Sequence, residues 1–271
     1  MPETFISAED IRVDYRTANG KKTVLDGVTL RIDRSEFVCL LGETGCGKST
    51  FLRLVLGEER PSAGVLRMGG EEIQGLSPKR GYVPQRYALF PDRTALENVA
   101  FGPKTSEFGV LGRITPRYFR RRGEIREQAL QLLKEVGLSV HDAGKYPHQL
   151  SGGMQQRVAI AQALIMNPGV LLMDEAFSAL DPATRAAMQA MIRRLWSEHR
   201  TTILFVTHNI QEACRLGSRV VVLARAEADA GSKVALDMQV TNDGREAVEY
   251  VARFCQSRTV TTAGEPVLAA G

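Results

Sequence analysis

The sequence predicts an α/β protein in which helices cover a mixed, largely parallel sheet. Short apolar runs rich in Val, Ile and Leu alternate with helical patterns along the chain, and each run ends near polar residues. This alternation is typical of layered α/β folds, whose central strands are buried on both faces. The predicted strands are 36–42, 169–175, 201–208 and 218–224. The predicted helices are about 48–57, 123–137, 151–167 and 182–199.

The N-terminal residues predict a different element, an antiparallel β subdomain. Apolar and polar residues alternate in DIRVDY, at 10–15, and in KKTVLDGVTLRI, at 21–32. Asn19 and Gly20 lie between these runs, and an Asn-Gly pair favours a two-residue hairpin turn. We therefore expect a hairpin before the parallel strands.

Two later segments break the alternation. The stretch 102–122 contains three glycines, two prolines and an arginine cluster, so it is interpreted as a loop or a poorly ordered insertion. Its RYFRRR segment, at 117–122, can contact anionic lipid or a partner loop, although a solvated basic loop is the favoured interpretation. Residues 225–271 begin with small and charged residues and end in TTAGEPVLAAG, which predicts a frayed tail.

Composition restricts the class of protein. With 271 residues, of which 44% are hydrophobic and 24% charged, the chain can bury a sizeable core. It contains no uninterrupted apolar run of about 18 residues, the length that a membrane helix needs, and its first residues lack a signal-peptide pattern, so we expect a cytoplasmic protein. The four widely spaced cysteines fit a reducing compartment. A net charge of +4 gives no case for a nucleic-acid partner.

The stretch GETGCGKST, Gly42 to Thr50, predicts a nucleotide site. Gly42, Gly47, Lys48 and Ser49 match the pattern G-x-x-x-x-G-K-[ST] of phosphate-binding loops. The stretch follows a predicted strand and opens a predicted helix, so its backbone N–H groups can point at phosphate oxygens. Lys48 is then expected to reach the β- and γ-phosphates, and Ser49 to bind Mg²⁺. The alternative is a glycine turn with an exposed lysine.

Two carboxylates follow the buried run VLLM. Asp174 and Glu175 come directly after this run, where strand ends meet ligands in open α/β sheets. Asp174 is expected to hold Mg²⁺, and Glu175 to accept a proton from the water that attacks the γ-phosphate. The alternative is a polar strand exit. The adjacent pair favours a hydrolase over a protein that only binds nucleotide.

The segment LSGGMQQR, at 150–157, resembles the signature motif of ATP-binding cassette (ABC) ATPases. Companion motifs are present in the order expected for this family. Tyr15 matches the aromatic residue that stacks on adenine, Gln85 the glutamine loop, and His208 the switch histidine. SALD, at 178–181, matches the D-loop.

The resemblance covers about residues 5–225 and implies the fold of a P-loop ABC ATPase. This fold has a mixed parallel core sheet, an N-terminal antiparallel β subdomain and an α-helical signature subdomain. The implied ATPase domain is 1–225, with its helical subdomain at about 86–165, and a C-terminal extension covers 226–271. The resemblance also implies that a head-to-tail homodimer hydrolyses ATP. Each of two ATP molecules lies between the phosphate loop of one chain and the signature of the other.

The family's motifs, carried over residue by residue, define the predicted site. The expected catalytic residues are Glu175, His208, Gln85 and Lys48. The expected Mg²⁺ ligands are Ser49, Gln85 and Asp174. The residues expected to bind ATP are Tyr15, Gly42, Glu43, Thr44, Gly45, Cys46, Gly47, Lys48, Ser49, Thr50, Ser151, Gly152, Gly153 and Gln155.

Several of these residues also have a simpler interpretation. Tyr15 can be a strand aromatic packed on the core, His208 a polar cap after a strand, and Gln85 a surface turn residue beside Pro84. Cys46 can be a small filler. Because its thiol lies at a helix N-terminus beside a lysine, we expect it to carry more thiolate than a free cysteine and to react with maleimide.

Within the family, the sequence favours the ATPase subunit of a bacterial importer. The chain has one cassette and no sustained heptad pattern, whereas relatives that act on DNA or ribosomes usually have two cassettes or a long coiled coil. ALFPDRTALENVAFG, at 88–102, resembles importers of the nitrate, sulfonate and taurine group. An exporter ATPase, or a soluble ABC ATPase that acts on nucleic acid or ribosomes, is the alternative.

The importer resemblance implies partners and a location. The expected partners are permease membrane subunits, a second copy of this chain and an extracytoplasmic substrate-binding protein, with no nucleic acid among them. The ATPase is then expected to lie peripherally at the cytoplasmic side of the inner membrane. We interpret Leu89 and Phe90 as one wall of an apolar groove for the permease; the alternative is that both side chains pack inside the cassette. Asp92 and Arg93 are expected to pair with charges on the entering helix.

Overall fold

The computed structural model describes residues 3–18, 20–108, 116–227, 230–240 and 244–262, without the side chains of Arg117, Tyr118 and 258–262. The strands are β1 Thr4–Thr17, β2 Gly20–Asp33, β3 Phe37–Leu41, β4 Ala63–Met68, β5 Glu71–Glu72, β6 Arg80–Val83, β7 Val170–Asp174, β8 Thr202–Val206, β9 Arg219–Arg225 and β10 Ser232–Gln239. The helices are α1 Lys48–Leu56, α2 Ala95–Val99, α3 Phe101–Glu107, α4 Pro116–Glu135, α5 Val140–Ala143, α6 Gly152–Leu164, α7 Pro182–His199, α8 Ile210–Leu216 and α9 Arg245–Thr262. None of the described helices has both the length and the apolar character needed to cross a bilayer.

The chain divides into two compact units. The first unit comprises residues 1–74 and 205–271, and the second comprises 75–204. The chain passes from the second unit to the first within β8.

The first unit is built on a mixed sheet. Its strands are adjacent in the order β5, β4, β1, β2, β10, β9, β3. β1 and β2 are antiparallel, as the N-terminal pattern predicts; Asn19 of the predicted turn lies outside the described residues. β3 runs parallel to β9. Every residue of β3 is buried, since a continuous apolar run suits a strand that is covered on both faces.

The predicted frayed tail is wrong for the segments 232–239 and 245–262. The first forms β10, which pairs antiparallel with β9 and parallel with β2, and the second forms α9. The pattern of β10 is weak because half of its eight residues are half-buried and Asp237 interrupts the apolar run. The boundary placed at residue 225 separates two paired strands, so the division into an ATPase domain and an extension stays a prediction. Residues 263–271 lie outside the described residues.

The second unit combines the parallel pair β6 and β7 with helices α2 to α7. Ser151 precedes α6 and Asp181 precedes α7, and each side chain accepts hydrogen bonds from first-turn N–H groups. Such caps satisfy backbone donors that have no partner inside the helix. The predicted helices at 151–167 and 182–199 therefore begin where capping residues stand in the sequence.

The segment 102–122 is largely helical, so its interpretation as a loop is wrong. α3 contains Pro103, α4 begins at Pro116, and 109–115 lie outside the described residues. Both prolines occupy the first turn of a helix, where the N–H group that proline lacks has no partner within the helix. The two prolines are thus compatible with helix starts, and they do not interrupt the helices.

Asn98 fastens the irregular segment before α2 to that helix. The side chain is fully buried. Its Oδ1 accepts a hydrogen bond from the Phe90 N–H group at 2.7 Å, and its Nδ2 donates to the carbonyl oxygens of Phe90 and Arg93 at 3.1 Å. One side chain therefore satisfies several backbone groups of a segment without regular structure.

Replacing Asn98 with Leu should lower the free energy of unfolding by about 1–3 kcal/mol, because buried backbone groups lose their hydrogen-bond partner. Urea unfolding followed by circular dichroism measures the change. Gln131→Leu is the control, since this amide is exposed on α4 and surface changes usually alter stability by about 0.5 kcal/mol or less. Equal effects of the two substitutions contradict the role given to Asn98.

Candidate active site

The predicted phosphate-binding loop connects β3 to α1, and its geometry requires glycine. Gly47 has φ +96°, and a Cβ atom there would lie 2.6 Å from Leu25 Cδ2. At Gly42, a Cβ atom would lie 2.5 Å from both Cys46 Sγ and the Leu223 carbonyl oxygen. Both positions thus need glycine because a Cβ atom would not fit there. Gly47 also has a left-handed backbone conformation, which glycine adopts without strain.

Lys48 is held inside this loop and is buried. Its Nζ donates hydrogen bonds to the carbonyl oxygens of Gly42 at 2.7 Å and Glu43 at 2.8 Å. These two bonds use two of the three donors of an ammonium group. α1 begins at Lys48 after Gly47, which has no side chain to cap the first-turn N–H groups. An enclosed cation beside the positive end of a helix dipole favours an anionic ligand.

A cavity of about 600 Å³ opens beside the loop, within the first unit. The structure brings His208 to this cavity, together with residues of β9 and α9. The lining residues are Leu41, Gly42, Glu43, Thr44, Cys46, His208, Ile210, Val222, Leu223, Ala224, Arg225, Glu227, Phe254 and Cys255.

His208 is positioned by its neighbour Thr207. The Thr207 N–H group donates to the Leu40 carbonyl oxygen at 3.2 Å, and its Oγ1 donates to Glu212 Oε2 at 2.5 Å. These bonds hold the segment after β8 against the end of β3 and the first turn of α8. The imidazole itself is exposed.

Cys46 does not have the thiolate character expected from its place in the sequence. The residue is 3% exposed, and burial raises the pKa of the Cys46 thiol, although the nearby Lys48 charge acts in the opposite direction. Burial outweighs the helix N-terminus and the lysine. The expectation of an activated, reactive thiol is therefore wrong, and the interpretation of Cys46 as a small filler is the better one.

Tyr15 lies on β1 and is half-buried. Its hydroxyl donates to Glu59 Oε2 at 2.5 Å, and Glu59 Oε1 lies 2.7 Å from Arg53 Nε. This network holds the phenol by its far end. Sequence reasoning missed Glu59 and Arg53 because neither lies in a recognised motif.

The two carboxylates lie at the end of β7, in the second unit, and both are half-buried. Glu175 has φ +44°, a left-handed conformation that is strained in a non-glycine residue. Gln85 Nε2 donates to Glu175 Oε2 at 3.4 Å and to Ser178 Oγ at 3.3 Å. The structure therefore brings Gln85 and Glu175 together, and it adds Ser178, to which the sequence assigned no contact.

Arg185 holds the loop that follows the carboxylates. Its Nε donates to the Phe177 carbonyl oxygen at 3.1 Å, and its Nη2 donates to those of Ser178 and Leu180 at 3.3 and 2.9 Å. Three carbonyl oxygens are thus tied to one guanidinium group, whose fork of donors suits this task. The sequence contained no signal for this role, since the partners are backbone atoms.

The predicted signature segment begins at the N-terminus of α6. Ser151 is exposed and caps the helix. A Cβ atom at Gly152 would lie 2.7 Å from the Tyr87 hydroxyl, and one at Gly153 would lie 2.6 Å from Thr184 Cγ2. These two glycines let neighbouring side chains approach the backbone closely.

Gln155 of the signature has a structural use that the sequence did not predict. Its Nε2 donates to the carbonyl oxygens of Pro147 and Leu150 at 3.0 and 3.1 Å. It therefore fastens the turn before α6. A contact of Gln155 with ATP stays a prediction.

The predicted site residues thus form two groups, each described within its own unit. The first unit contains Tyr15, Gly42, Glu43, Thr44, Gly45, Cys46, Gly47, Lys48, Ser49, Thr50 and His208. The second unit contains Gln85, Asp174, Glu175, Ser151, Gly152, Gly153 and Gln155.

Comparison with known proteins gives consistent matches. Residues 25–178 match the ABC transporter family. The bicarbonate transport ATP-binding protein CmpD of Synechococcus elongatus is 42% identical over 83% of this chain and 77% of its own length. The aliphatic sulfonates import ATP-binding protein SsuB 1 of Burkholderia lata is 45% identical over 83% of this chain and 62% of its own length. A dimeric ATP-binding cassette solved in a post-hydrolysis state with ADP and Pi is 30% identical, with a TM-score of 0.71, over 88% of this chain and 99% of its own.

Cys46 should react with maleimide more slowly than Cys255, because Cys46 is buried and Cys255 is half-buried. The Cys46 rate should rise with pH, since only the thiolate reacts and the pKa of this thiol is raised. Peptide mapping by mass spectrometry after timed labelling measures both sites in the wild-type chain. The unfolded chain is the control, in which the two rates should become similar. If Cys46 is labelled faster than Cys255 in the folded chain, burial does not control the reactivity of Cys46.

Proposed function

The chain belongs to the ABC transporter family of ATPases, and we propose that it is the ATP-hydrolysing subunit of a bacterial importer that acts through separate permease subunits. One observation carries the importer assignment. The matched relatives with named roles are ATP-binding proteins for bicarbonate transport and sulfonate import, and they align with 83% of this chain. The glycine-dependent loop closed around Lys48 supports the ATPase assignment independently.

We propose that the phosphate loop binds the triphosphate of ATP. Lys48 supplies an ammonium group at a fixed position, and Gly45, Gly47 and Thr50 supply backbone N–H groups. Glu43, Thr44 and Cys46 shape the loop, and Gly42 permits its close approach to β9. Tyr15, held by Glu59, presents its ring to adenine.

The residues predicted to bind Mg²⁺ carry oxygen donors, which are the ligands that this ion prefers. Ser49, Gln85 and Asp174 are the proposed ligands of Mg²⁺, which would neutralise charge that develops on the phosphates. Among the described residues there is no cluster of three or more His, Cys, Asp and Glu side chains suited to a metal. One hydroxyl, one amide and one carboxylate agree with Mg²⁺, because this ion usually keeps several waters and takes further oxygens from substrate phosphates.

Glu175 is the proposed general base. Its half-buried carboxylate accepts a hydrogen bond from Gln85, and its left-handed backbone marks a strained position of the kind that concentrates at active sites. Gln85 orients this carboxylate, and Glu175 accepts the proton of the attacking water. His208, on the wall of the cavity beside the loop, contacts the γ-phosphate.

Hydrolysis is proposed to require a second copy of the chain. Ser151, Gly152 and Gly153 offer a hydroxyl and backbone N–H groups at the start of α6, where a helix N-terminus favours an anion. We propose that they, with Gln155, face the ATP held by the phosphate loop of the partner subunit. The dimeric cassette solved with ADP and Pi supports this assembly.

A groove in the second unit is the proposed contact with the permease. It has a volume of about 440 Å³. Arg80 lines it, is buried, and has an Nε atom without a hydrogen-bond partner among the described residues. Arg86 also lines it. Arg86 is exposed, so the groove suits a permease helix that carries a carboxylate beside this guanidinium. The lining residues are Pro78, Arg80, Gly81, Tyr82, Pro84, Arg86, Ala88, Phe101, Gly102, Ala159, Gln162, Ala163 and Met166.

The segment 89–93, before α2, does not form the wall of this groove. Leu89 and Phe90 are not among its lining residues. The Phe90 ring instead packs on Phe101, with ring centroids 4.6 Å apart, and the Arg93 guanidinium lies 4.4 and 4.0 Å from the two centroids. Arg93 is thus engaged in a cation–π contact inside the unit, and its pairing with a charge on the permease stays a prediction.

The importer assignment implies one further partner and a location for the ATPase. We propose that an extracytoplasmic substrate-binding protein delivers the cargo to the permease. The ATPase then lies at the cytoplasmic side of the inner membrane, where it is held peripherally by the permease.

Glu175→Gln should lower ATP turnover by about 10²–10⁴-fold, because the amide keeps the shape of the side chain but cannot accept the proton. ATP binding should survive, so the variant should accumulate as an ATP-bound dimer in gel filtration. Glu198→Gln, an exposed change on α7 in the same unit, is the matched control. Near wild-type turnover of Glu175→Gln excludes this residue as the base.

Ala88→Trp should abolish transport while the isolated subunit still folds and binds ATP, because the indole occupies the proposed permease groove. Transport is measured in vesicles that contain the permease that copurifies with this protein. Leu76→Trp, at a 73% exposed position outside the groove lining, controls for the added indole. Normal transport by Ala88→Trp refutes the groove as the permease contact.

A further inference from the structure

A basic stripe runs along one side of the second unit, outside the proposed ATP site. We define it by Phe119, Arg122 and Arg126 on α4 and Lys104 on α3. Phe119 is 63% exposed, and both arginines are exposed. A single exposed apolar side chain is common on protein surfaces, so the ring gains meaning here only together with the cations beside it.

Helical geometry places the three α4 residues on the same side. Phe119, Arg122 and Arg126 are three and four positions apart, a spacing that aligns side chains along one side of a helix. Ile125 and Ala129 of α4 are buried, and they lie three and seven positions after Arg122, so the buried side of the helix borders the stripe. Phe119, Arg122 and Arg126 are nevertheless exposed, so the stripe faces outward at the edge of that side.

The charges of the stripe are only partly compensated. Arg121 is engaged by Glu107 at 2.8 Å and by Glu124 at 2.9 Å. In contrast, Arg122 and Arg126 form no ion pair among the described residues. Between 116 and 127 the chain has five arginines and two glutamates. A polyanionic partner would balance the excess positive charge.

The cations of the stripe also act on one another. Burial lowers the pKa of Lys104, and the positive charge of Arg122 lowers it further. The charges of Arg126 and Arg93 also lower this pKa, whereas Glu97 raises it. Like charges held this close repel each other. Their repulsion would be relieved by an anionic surface placed across all of them.

We propose that the basic stripe contacts the anionic lipid headgroups of the membrane surface. Arginine and lysine side chains near such a surface each contribute attraction, and an aromatic side chain can enter the boundary between headgroups and acyl chains. The cations of the stripe suit the anionic headgroups, and the phenyl ring of Phe119 suits the apolar boundary beneath them. The arginine cluster is therefore assigned to lipid, although the sequence alone favoured a solvated loop.

The position of α3 supports the lipid surface over other polyanions. Phe101 and Gly102, at the start of α3, line the groove proposed for the permease, and Lys104 follows in the same helix. This step of the argument rests on the proposed function, because a permease in that groove brings the stripe close to the bilayer. The net charge of +4 does not distinguish an anionic lipid surface from nucleic acid, so duplex DNA is included as a competing polyanion in the test.

Co-sedimentation of the full-length chain with vesicles tests the proposal without a permease. Vesicles of phosphatidylcholine alone are compared with vesicles that also contain phosphatidylglycerol. The wild type should bind only the anionic vesicles, and binding should weaken as salt is added, since exposed charges are screened over a Debye length of about 8 Å at physiological ionic strength.

Charge reversal identifies the residues. Arg122→Glu combined with Arg126→Glu should weaken partitioning at least about 25-fold, from about fivefold for each charge removed. Phe119→Ser should weaken it about tenfold without changing the charge. Lys22→Glu combined with Arg31→Glu is the matched control, because both residues are exposed on β2 and the change in net charge is the same. Thermal melting and ATP turnover should stay unchanged in all of these variants.

Several results overturn the proposal. These are absence of binding to anionic vesicles, equal binding to neutral vesicles, an equal loss in the control pair, or tighter binding to duplex DNA than to anionic vesicles. Failure of the proposed function would be seen in other measurements. Absence of import activity, or near wild-type ATP turnover by Glu175→Gln, does not change the result of the vesicle experiment. Binding to vesicles that depends on the stripe supports the proposal in either case.

Discussion

The closed phosphate loop is the constraint on which the candidate site depends. The Lys48 ammonium is enclosed because its hydrogen bonds to the Gly42 and Glu43 carbonyl oxygens hold a tight reversal between β3 and α1. That reversal brings Gly42 against the backbone of Leu223 in β9, so loop and sheet are packed as one arrangement. The Cys46 sulfur fills the space left beside Gly42, which explains why burial and not the nearby cation dominates its pKa.

The fold could be predicted from the sequence where a single pattern decides the element. β3, β7, β8 and β9 are continuous apolar runs, and α6 and α7 begin at capping residues, so local physics and tertiary burial agree. β10 could not be predicted because its strand is stabilised by pairing with β2 and β9 while its own pattern is mixed. The prolines of 102–122 indicated a loop, and only the structure distinguishes a proline in a first helical turn from one that breaks a helix.

The residues of the candidate site could also be predicted only in part. Residues in motifs could be found because phosphate and metal chemistry needs particular residue types at particular spacings. The supporting residues Arg185, Asn98 and Glu59, and the contact of the motif residue Ser178 with Gln85, could not, because they depend on hydrogen bonds to backbone atoms or to single side chains distant in sequence. Such contacts impose no spacing rule. They nevertheless decide how rigidly the predicted residues are held.

Gln85 connects two environments of the second unit, and this connection bears on how ATP hydrolysis is coupled to a partner. Its amide faces Glu175, while the following residues Arg86 and Ala88 line the groove. A displacement of the groove wall can be transmitted to the glutamine over these one to three residues of chain. The hydrogen bond to Glu175 is long, at 3.4 Å, so a shift of a fraction of an ångström would tighten or break it. A partner seated in the groove can therefore change the position of the proposed base through covalent connection alone, with no need for a longer pathway through the core.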